Sequence, residues 1–316
     1  MSSVKTLAKS QTKTSLAKPF LKWVGGKSQL REQFSSLYPS QLKTGQIKKY
    51  FELFTGGGAI FFDVIQKFDL NQIFLNDVNQ DLILAYKVIQ SHPWKLIAEL
   101  VNLKEKLFQL EIEQRAELFY QIRRDYNQQR INFDYQRLSV EAIKRVAWLI
   151  FINKTCFNGL YRTNKKGDFN APFGRYKNPK ICDQDNILRV SDLLQGVTLV
   201  SGNYRGLDKF IDRQSFIYID PPYRPITKTA NFTAYAKSRF NDASQVELSR
   251  YYAHLSEDYG AKVMLSNSNP HNSDPVDNFF HDLYCKYEIN EVYATRMINS
   301  DASKRGKITE LVITNY

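Results

Sequence analysis

The chain has 316 residues, with 44 Lys and Arg against 32 Asp and Glu, a formal net charge of +12 and a sequence pI near 9.4. A surplus of that size suits an acidic, polyanionic partner, while 43% hydrophobic and 14% aromatic residues exclude global disorder and supply core for about two domains at roughly 150 residues each. No stretch approaches the ~20 consecutive apolar residues that cross a bilayer, and the N-terminus has no apolar run of signal-peptide kind. Three cysteines without a CxxC pair (Cys156, Cys182, Cys285) and four histidines supply neither a disulfide framework nor a tetrahedral zinc site. The expectation is a soluble, cytoplasmic protein with no membrane partner and no metal.

In chain order, residues 1–18 place Lys5, Lys9, Lys13 and Lys18 among Ser, Thr and Gln without an acid, which reads as a basic flexible tail. Tyr50-Phe51-Glu52-Leu53-Phe54 reads as a strand running into Gly56-Gly57-Gly58, residues 59–68 as a helix, and residues 72–77 as a second strand ending on an acid, Asp77. Together they form a β-α-β unit. Residues 82–152, nearly free of Gly and apolar at helical spacing, predict three or four helices. Residues 153–179 are dense in turn formers and predict a hairpin turned at Lys165-Lys166-Gly167. Strand signals return at 197–200, 216–219, 262–265 and 310–316, with a helix over 243–259. The α/β pattern therefore brackets a helical insertion: an α/β unit from 19–78 and 183–316, and an inserted unit at 79–182.

Two segments carry chemistry on their own. The loop Phe54-Thr55-Gly56-Gly57-Gly58 follows a strand, opens a helix and precedes Asp77 by about 20 residues, the arrangement of a nucleoside site whose acid accepts from ribose hydroxyls. Position 61 is Phe where a dinucleotide fingerprint wants Gly or Ala, so a nucleoside without a pyrophosphate fits better; a structural tight turn is the alternative. Gly26-Lys27-Ser28 ends like a phosphate-binding loop but lacks the earlier glycine, since that position is Leu21. In Phe216-Ile217-Tyr218-Ile219-Asp220-Pro221-Pro222-Tyr223 a strand delivers a carboxylate to its end, and two prolines remove two N–H donors. With Asp220 and the Pro221 carbonyl accepting and Tyr223 offering a π face, the segment suits a planar base with an exocyclic amine. In the hairpin, Arg162, Lys165, Lys166, Arg175, Lys177 and Lys180 can meet phosphates and guanine edges, and Phe157, Phe169 and Tyr176 offer stacking surface.

Taken together with Lys22-Trp23-Val24-Gly25-Gly26-Lys27, Phe157-Asn158-Gly159-Leu160-Tyr161-Arg162, residues 169–177, Asn231-Phe232-Thr233-Ala234-Tyr235 and Leu265-Ser266-Asn267, the sequence resembles the DNA adenine N6-methyltransferase (Dam) family over roughly residues 19–316. The ending Arg305-Gly306-Lys307-Ile308-Thr309-Glu310 is more like the GATC-modifying enzymes of restriction systems. The resemblance implies a Rossmann-like α/β methyltransferase fold with an inserted helical DNA-recognition domain and β-hairpin. It implies S-adenosyl-L-methionine as cofactor, double-stranded DNA as substrate, methylation of a flipped adenine within GATC, and a bacterial cytoplasmic setting. A restriction endonuclease would be a partner by function, with no contact required.

By the same resemblance Trp23 and Lys27 hold the methionine end of the cofactor, with the Lys27 ammonium near its carboxylate. Phe54, Gly56 and Gly58 pack on the cofactor, Asp77 binds its ribose and Tyr204 lies near its adenine. Asp220 is the central catalytic acceptor, followed by Pro221 and Pro222, and Tyr223 stacks on the target base. Lys22, Leu160, Arg162 and Pro172 read the site, joined by Asn158 and Arg175, and Phe157 intrudes into the base stack. Two other readings stay open on residues alone: cytosine N4 methylation, and a DNA-binding regulator with this fold and no turnover.

Overall fold

The computed structural model describes residues 16–23, 25–224, 240–295 and 307–316. Most of the basic tail, the Asn231-Tyr235 motif and Arg305-Gly306 lie outside the described residues.

Seven strands make one sheet in the order β3-β2-β1-β4-β5-β7-β6. They are β1 (Lys49–Glu52), β2 (Gln72–Asp77), β3 (Val197–Ser201), β4 (Ser215–Ile219), β5 (Lys262–Ser268), β6 (Glu288–Thr295) and β7 (Lys307–Thr314). The first five run parallel, and β7 is antiparallel to both β5 and β6. This is the mixed α/β fold expected from the sequence. β4 is buried along its whole length, as a strand covered on both faces should be. The β-α-β unit has α3 (Ala59–Ile65) as its helix, three residues shorter than expected.

Side chains alternate cleanly between two cores. Tyr50, Leu75, Phe216, Tyr218, Met264 and Val312 face a large cluster shared with the helices. Phe51, Phe74, Ile217, Ile219, Val263, Leu265, Leu311 and Ile313 face the other side. The helices of the insertion are four: α4 (Gln80–Ser91), α5 (Pro93–Phe108), α6 (Ile112–Gln129) and α7 (Val140–Thr155), followed by α8 (Gln184–Leu193). Their apolar faces belong to the first of these two clusters, so these helices and one face of the sheet are joined by continuous packing. The other face is covered by α9 (Asp242–Glu257) and α10 (Phe279–Leu283). Packing begins earlier than the expected tail boundary: Ala17 is buried, and its backbone N–H and C=O both bond Gln66.

The segment after α7 forms the expected antiparallel turn-back, but not as a regular ladder. Bridges join Cys156 to Phe173 and Thr163 to Phe169. Asn164 organises the turn by accepting from the backbone N–H of Lys166 and Asp168 through its side chain. The missing ladder bonds are replaced by α6, which presents one polar stripe to the hairpin. Arg123 donates to Ala171 O, Asn127 bonds both N–H and C=O of Phe169, Arg130 donates to Lys166 O and Asp168, and Arg115 donates to Lys177 O. Among the described residues no helix is long and apolar enough to cross a membrane.

Candidate active site

The parallel strands end on one edge, and the face of the large cluster turns polar there. Two residues beyond Leu75, Tyr50, Tyr218 and Met264 in the period-2 pattern come Asp77, Glu52, Asp220 and Ser266; two before Val312 on antiparallel β7 comes Glu310. Five neighbouring strands thus place four carboxylates and a hydroxyl on one rim, beside the point between β1 and β4 where the strand order reverses and α/β sheets place ligands.

Lys27 sits in the middle of that rim at 3% exposure. Its ammonium lies 2.8 Å from each Asp220 carboxylate oxygen, donates to Gly25 O at 2.7 Å, stands 3.9 Å from Glu310, and lies 4.6 Å from the centre of the Tyr223 ring. Asp220 Oδ1 also accepts from Ser266 Oγ at 2.9 Å, and the Ser266 hydroxyl is paired in turn with Tyr218 OH at 2.9 Å. Tyr223 OH donates to Glu310 Oε2 at 2.7 Å, which fixes the tilt of the ring. Burial pushes the Glu310 carboxyl up, against Lys27 and Tyr223, which pull it down. The prolines act as the sequence suggests: the Pro222 carbonyl accepts from Gln245, whereas Pro221 O takes no hydrogen bond in the described residues and stays available beside Asp220. Arg224 then pins the loop by pairing with Asp242 and Asp277.

The glycine loop is shaped by its neighbours. Trp23 lies across it so closely that a Cβ on Gly56 would come within 2.9 Å of the indole Cδ1. Trp23 also stacks on Tyr161 of the hairpin, with centroids 4.8 Å apart, and so bridges the glycine loop and the hairpin. Asp77 accepts from Gly56 N and Asn79 N, each at 2.9 Å, through different oxygens. Each oxygen keeps lone-pair capacity for a ligand hydroxyl. Burial raises the Asp77 carboxyl, against those two N–H groups. Phe54 and Tyr204 lie 5.3 Å apart as a tilted pair. A cleft of about 450 Å³ opens over Val78, Gln80, Asp81, Ser201 and Gly202, bounded by Tyr161 and Gly167 of the hairpin.

Glu52 was not singled out by sequence reasoning. It is buried, accepts from Tyr50 OH at 2.6 Å, and burial holds its carboxyl up at about 8, with Tyr50 and the Phe61 N–H opposing and Asp220 adding to the rise. A carboxyl raised in the folded state binds more protons there than in the unfolded chain, so its contribution to stability is complete below about pH 4.5 and is lost as pH rises toward 8. Glu52→Gln should flatten that part of the stability-pH profile and raise the melting temperature most near pH 8. Denaturation at several pH values checks it; an unchanged slope between pH 5 and 8 would show that Glu52 is ionised throughout.

On the hairpin, Phe157 (54% exposed), Asn158, Arg162, Pro172 and Arg175 are exposed, Leu160 is half-buried, and Lys22 lies against them. Asn158 and Arg175 take positive φ, at 56° and 52°. The stem of Lys22 runs over Gly159, where a Cβ would lie 2.2 Å from its Cδ, and its ammonium lies 5.1 Å from the centre of the Tyr176 ring. Arg162 donates through Nε and Nη2 to Asn170, which ties its guanidinium to the facing arm of the hairpin. The structure therefore gathers the expected residues into two neighbouring groups, a carboxylate rim and an exposed basic-aromatic face. Lys27, expected beside the carboxylate of a cofactor, lies 2.8 Å from both Asp220 oxygens. Ser266, Glu310 and Tyr161 join the site without having been given roles, although all three lie in motifs the sequence displays.

The seven-stranded mixed sheet of this order is consistent with the methyltransferase class of α/β proteins. The profile of the D12 class N6 adenine-specific DNA methyltransferases matches residues 23–298, and the chain belongs to that family. It is 47% identical over 300 residues to the type II methyltransferase M.MjaIII of Methanocaldococcus jannaschii, covering 95% of this chain and 99% of that one. It is 35% identical over 301 residues to the type II methyltransferase M1.LlaDCHI of Lactococcus lactis subsp. cremoris, covering 95% of each. A DNA adenine methylase of Vibrio cholerae is 31% identical over 293 residues, covering 93% of this chain and 94% of that one. The protein is an N6 adenine DNA methyltransferase.

Proposed function

We propose that the protein methylates N6 of a flipped adenine within GATC in duplex DNA, with S-adenosyl-L-methionine as donor. The observation that carries this reading is the pair of acceptors at the end of β4: Asp220 on the rim and, beside it, a Pro221 carbonyl that takes no hydrogen bond among the described residues. The residues at the glycine loop suit this cofactor. Asp77 keeps acceptor capacity for a ribose, and Phe54 and Tyr204 offer aromatic surface for a purine, whereas Lys27 would have to share or leave Asp220 to meet a carboxylate. When bound, the cofactor supplies an electrophilic methyl group on a sulfonium.

This chain's residues do the rest. An exocyclic amine conjugated with its ring is a poor nucleophile. Asp220 and Pro221 O, by accepting its two N–H bonds, favour a pyramidal nitrogen with its lone pair exposed, and both contacts strengthen as positive charge develops there. The Tyr223 ring, held by Glu310, provides a stacking face for the extruded base. Phe157 is placed to fill the space the base leaves, offsetting part of the few kcal/mol that flipping costs. Lys22, Asn158, Leu160, Arg162, Pro172 and Arg175 form the face that reads the site. The GATC assignment is favoured by the DNA adenine methylase relative and by the motifs on that face.

The test is transfer of labelled methyl to unmethylated DNA followed by mapping of the modified base, on GATC duplexes and on duplexes changed at each position. Label on adenine N6 only where GATC is intact is the expected result. Equal labelling of altered duplexes would overturn the specificity, and cofactor binding without transfer would favour a regulator. Asp77→Ala should weaken cofactor binding by roughly 1 to 3 kcal/mol through loss of a partly buried acceptor. Calorimetry decides it; an unchanged cofactor affinity would remove Asp77 from the cofactor site.

A further inference from the structure

Behind the hairpin lies a cavity of about 310 Å³, bounded by residues 18–22, the last turn of α7 and residues 176–187. None of the rim carboxylates lines it. Lys18, Lys22, Lys154 and Lys180 do, against a single acid, Asp183. That acid is already engaged, with Lys180 Nζ 2.7 Å from its Oδ2. Lys154 makes neither a hydrogen bond nor an ion pair among the described residues. Burial first, then Lys22, Lys18 and Lys180, with Asp183 opposing, hold its ammonium down at about 8.

Such a gathering of like charge is unfavourable, yet the fold fixes it with buried polar contacts. Asn186 accepts from Lys18 N at 3.0 Å and donates to Lys18 O at 2.9 Å. Asn153 does the same for Lys22, accepting from its N at 2.9 Å and donating to its O at 2.9 Å. Both asparagines are buried. Two such clamps four residues apart hold the segment so that Lys18 and Lys22 flank one cavity, with Phe20 buried between them. The groups are ammonium point charges without a guanidinium fork, a set suited to phosphoryl oxygens rather than to bidentate recognition of a carboxylate.

We infer that this cavity binds a phosphoryl group, and that the group is a backbone phosphate of the DNA on which the enzyme acts. The cavity is continuous with the reading face through Tyr176, whose hydroxyl accepts from Asn158 N at 2.9 Å and whose ring carries the Lys22 ammonium. A strand that passes Phe157 and Asn158 would meet the cavity across Tyr176, and a phosphate held there would fix register without reading sequence. The inference rests on duplex DNA as substrate and is independent of the GATC assignment.

The test uses Lys154→Met and Lys18→Ala in the full chain, with Lys154→Arg as a charge-retaining control. DNA affinity is measured against salt on a GATC duplex and on a random duplex of equal length. Each charge-removing variant should weaken both by the same factor and make the log-log salt slope shallower by about 0.9, while the arginine variant keeps the parent slope. In a second arm, inorganic phosphate at matched ionic strength should raise the melting temperature of the parent and not of Lys154→Met. Loss of the phosphate effect with an unchanged DNA slope would assign the cavity to free phosphate and overturn the DNA contact. No change in either arm would overturn the site. A loss confined to the GATC duplex would place these lysines on base edges instead. Failure to methylate DNA would leave the phosphate arm standing, so the two readings fail separately.

Discussion

Asp220→Asn is expected to lower the rate of methyl transfer at saturating DNA by at least ~100-fold, with DNA affinity changed far less. The substitution keeps shape and one acceptor oxygen, and removes the charge that stabilises developing positive nitrogen. It also acts on Lys27, whose buried ammonium loses the negative charge 2.8 Å away and keeps a neutral acceptor there beside Gly25 O, the Tyr223 ring and the more distant Glu310. A buried cation left with weaker partners costs stability, so the variant should melt below the parent. Single-turnover methylation, run beside a melting curve and well below the transition, separates the two effects. Transfer within tenfold of the parent would remove Asp220 from the reaction.

The position of Lys27 adds a step to the chemistry. Both Asp220 oxygens already accept from the ammonium, and Oδ1 accepts from Ser266 as well, so the carboxylate is held in place before a base arrives. A preorganised acceptor needs little rearrangement at the transition state. On the reading proposed above, an incoming amine would share Asp220 with Lys27 instead of finding it free, with the Tyr223 ring 4.6 Å from that ammonium.

The strand ends were legible because each is a short β-rich run stopped by a polar residue or turn former, and β2 begins and ends where that pattern does. Asp77 and Asp220 could be found for the same reason. Glu52 and Ser266 could not, since an acid or hydroxyl two residues past a buried aromatic or Met acquires meaning only from the strands beside it, and pairing of β1 with β4 joins residues about 166 positions apart. β6 was missed because its charged, alternating sequence reads as weakly apolar, as befits an edge strand protected on one side by β7. The hairpin was visible from its turn residues, but its support from the polar stripe of α6 was not: Arg115, Arg123, Asn127 and Arg130 look like the solvated face of an amphipathic helix until the segment they bond is folded against them.

The same kind of non-local pairing gives the largest expected loss of stability, at Arg145. This residue is fully buried in α7 and forks onto Asp81 of α4, with Nε 2.6 Å from Oδ1 and Nη2 3.0 Å from Oδ2. Its remaining donors go to Tyr126 O at 2.8 Å and Tyr135 OH at 3.1 Å, and its guanidinium lies 4.2 Å from the centre of the Tyr126 ring. Asp81 stands four residues after Asp77, so the pair ties the carboxylate edge of the sheet to the helices that carry the hairpin. Arg145→Met should cost about 3–5 kcal/mol, most of it from a buried carboxylate left, among the described residues, with the Tyr135 hydroxyl as its hydrogen-bond donor. Adding Asp81→Leu should recover much of that loss, because removing both charges from a buried pair is far milder than removing one. Denaturant unfolding of the parent, both single variants and the double variant measures the coupling. A double variant no more stable than Arg145→Met would mean that Arg145 stabilises through its packing on Tyr126 and Phe133 and not by neutralising Asp81.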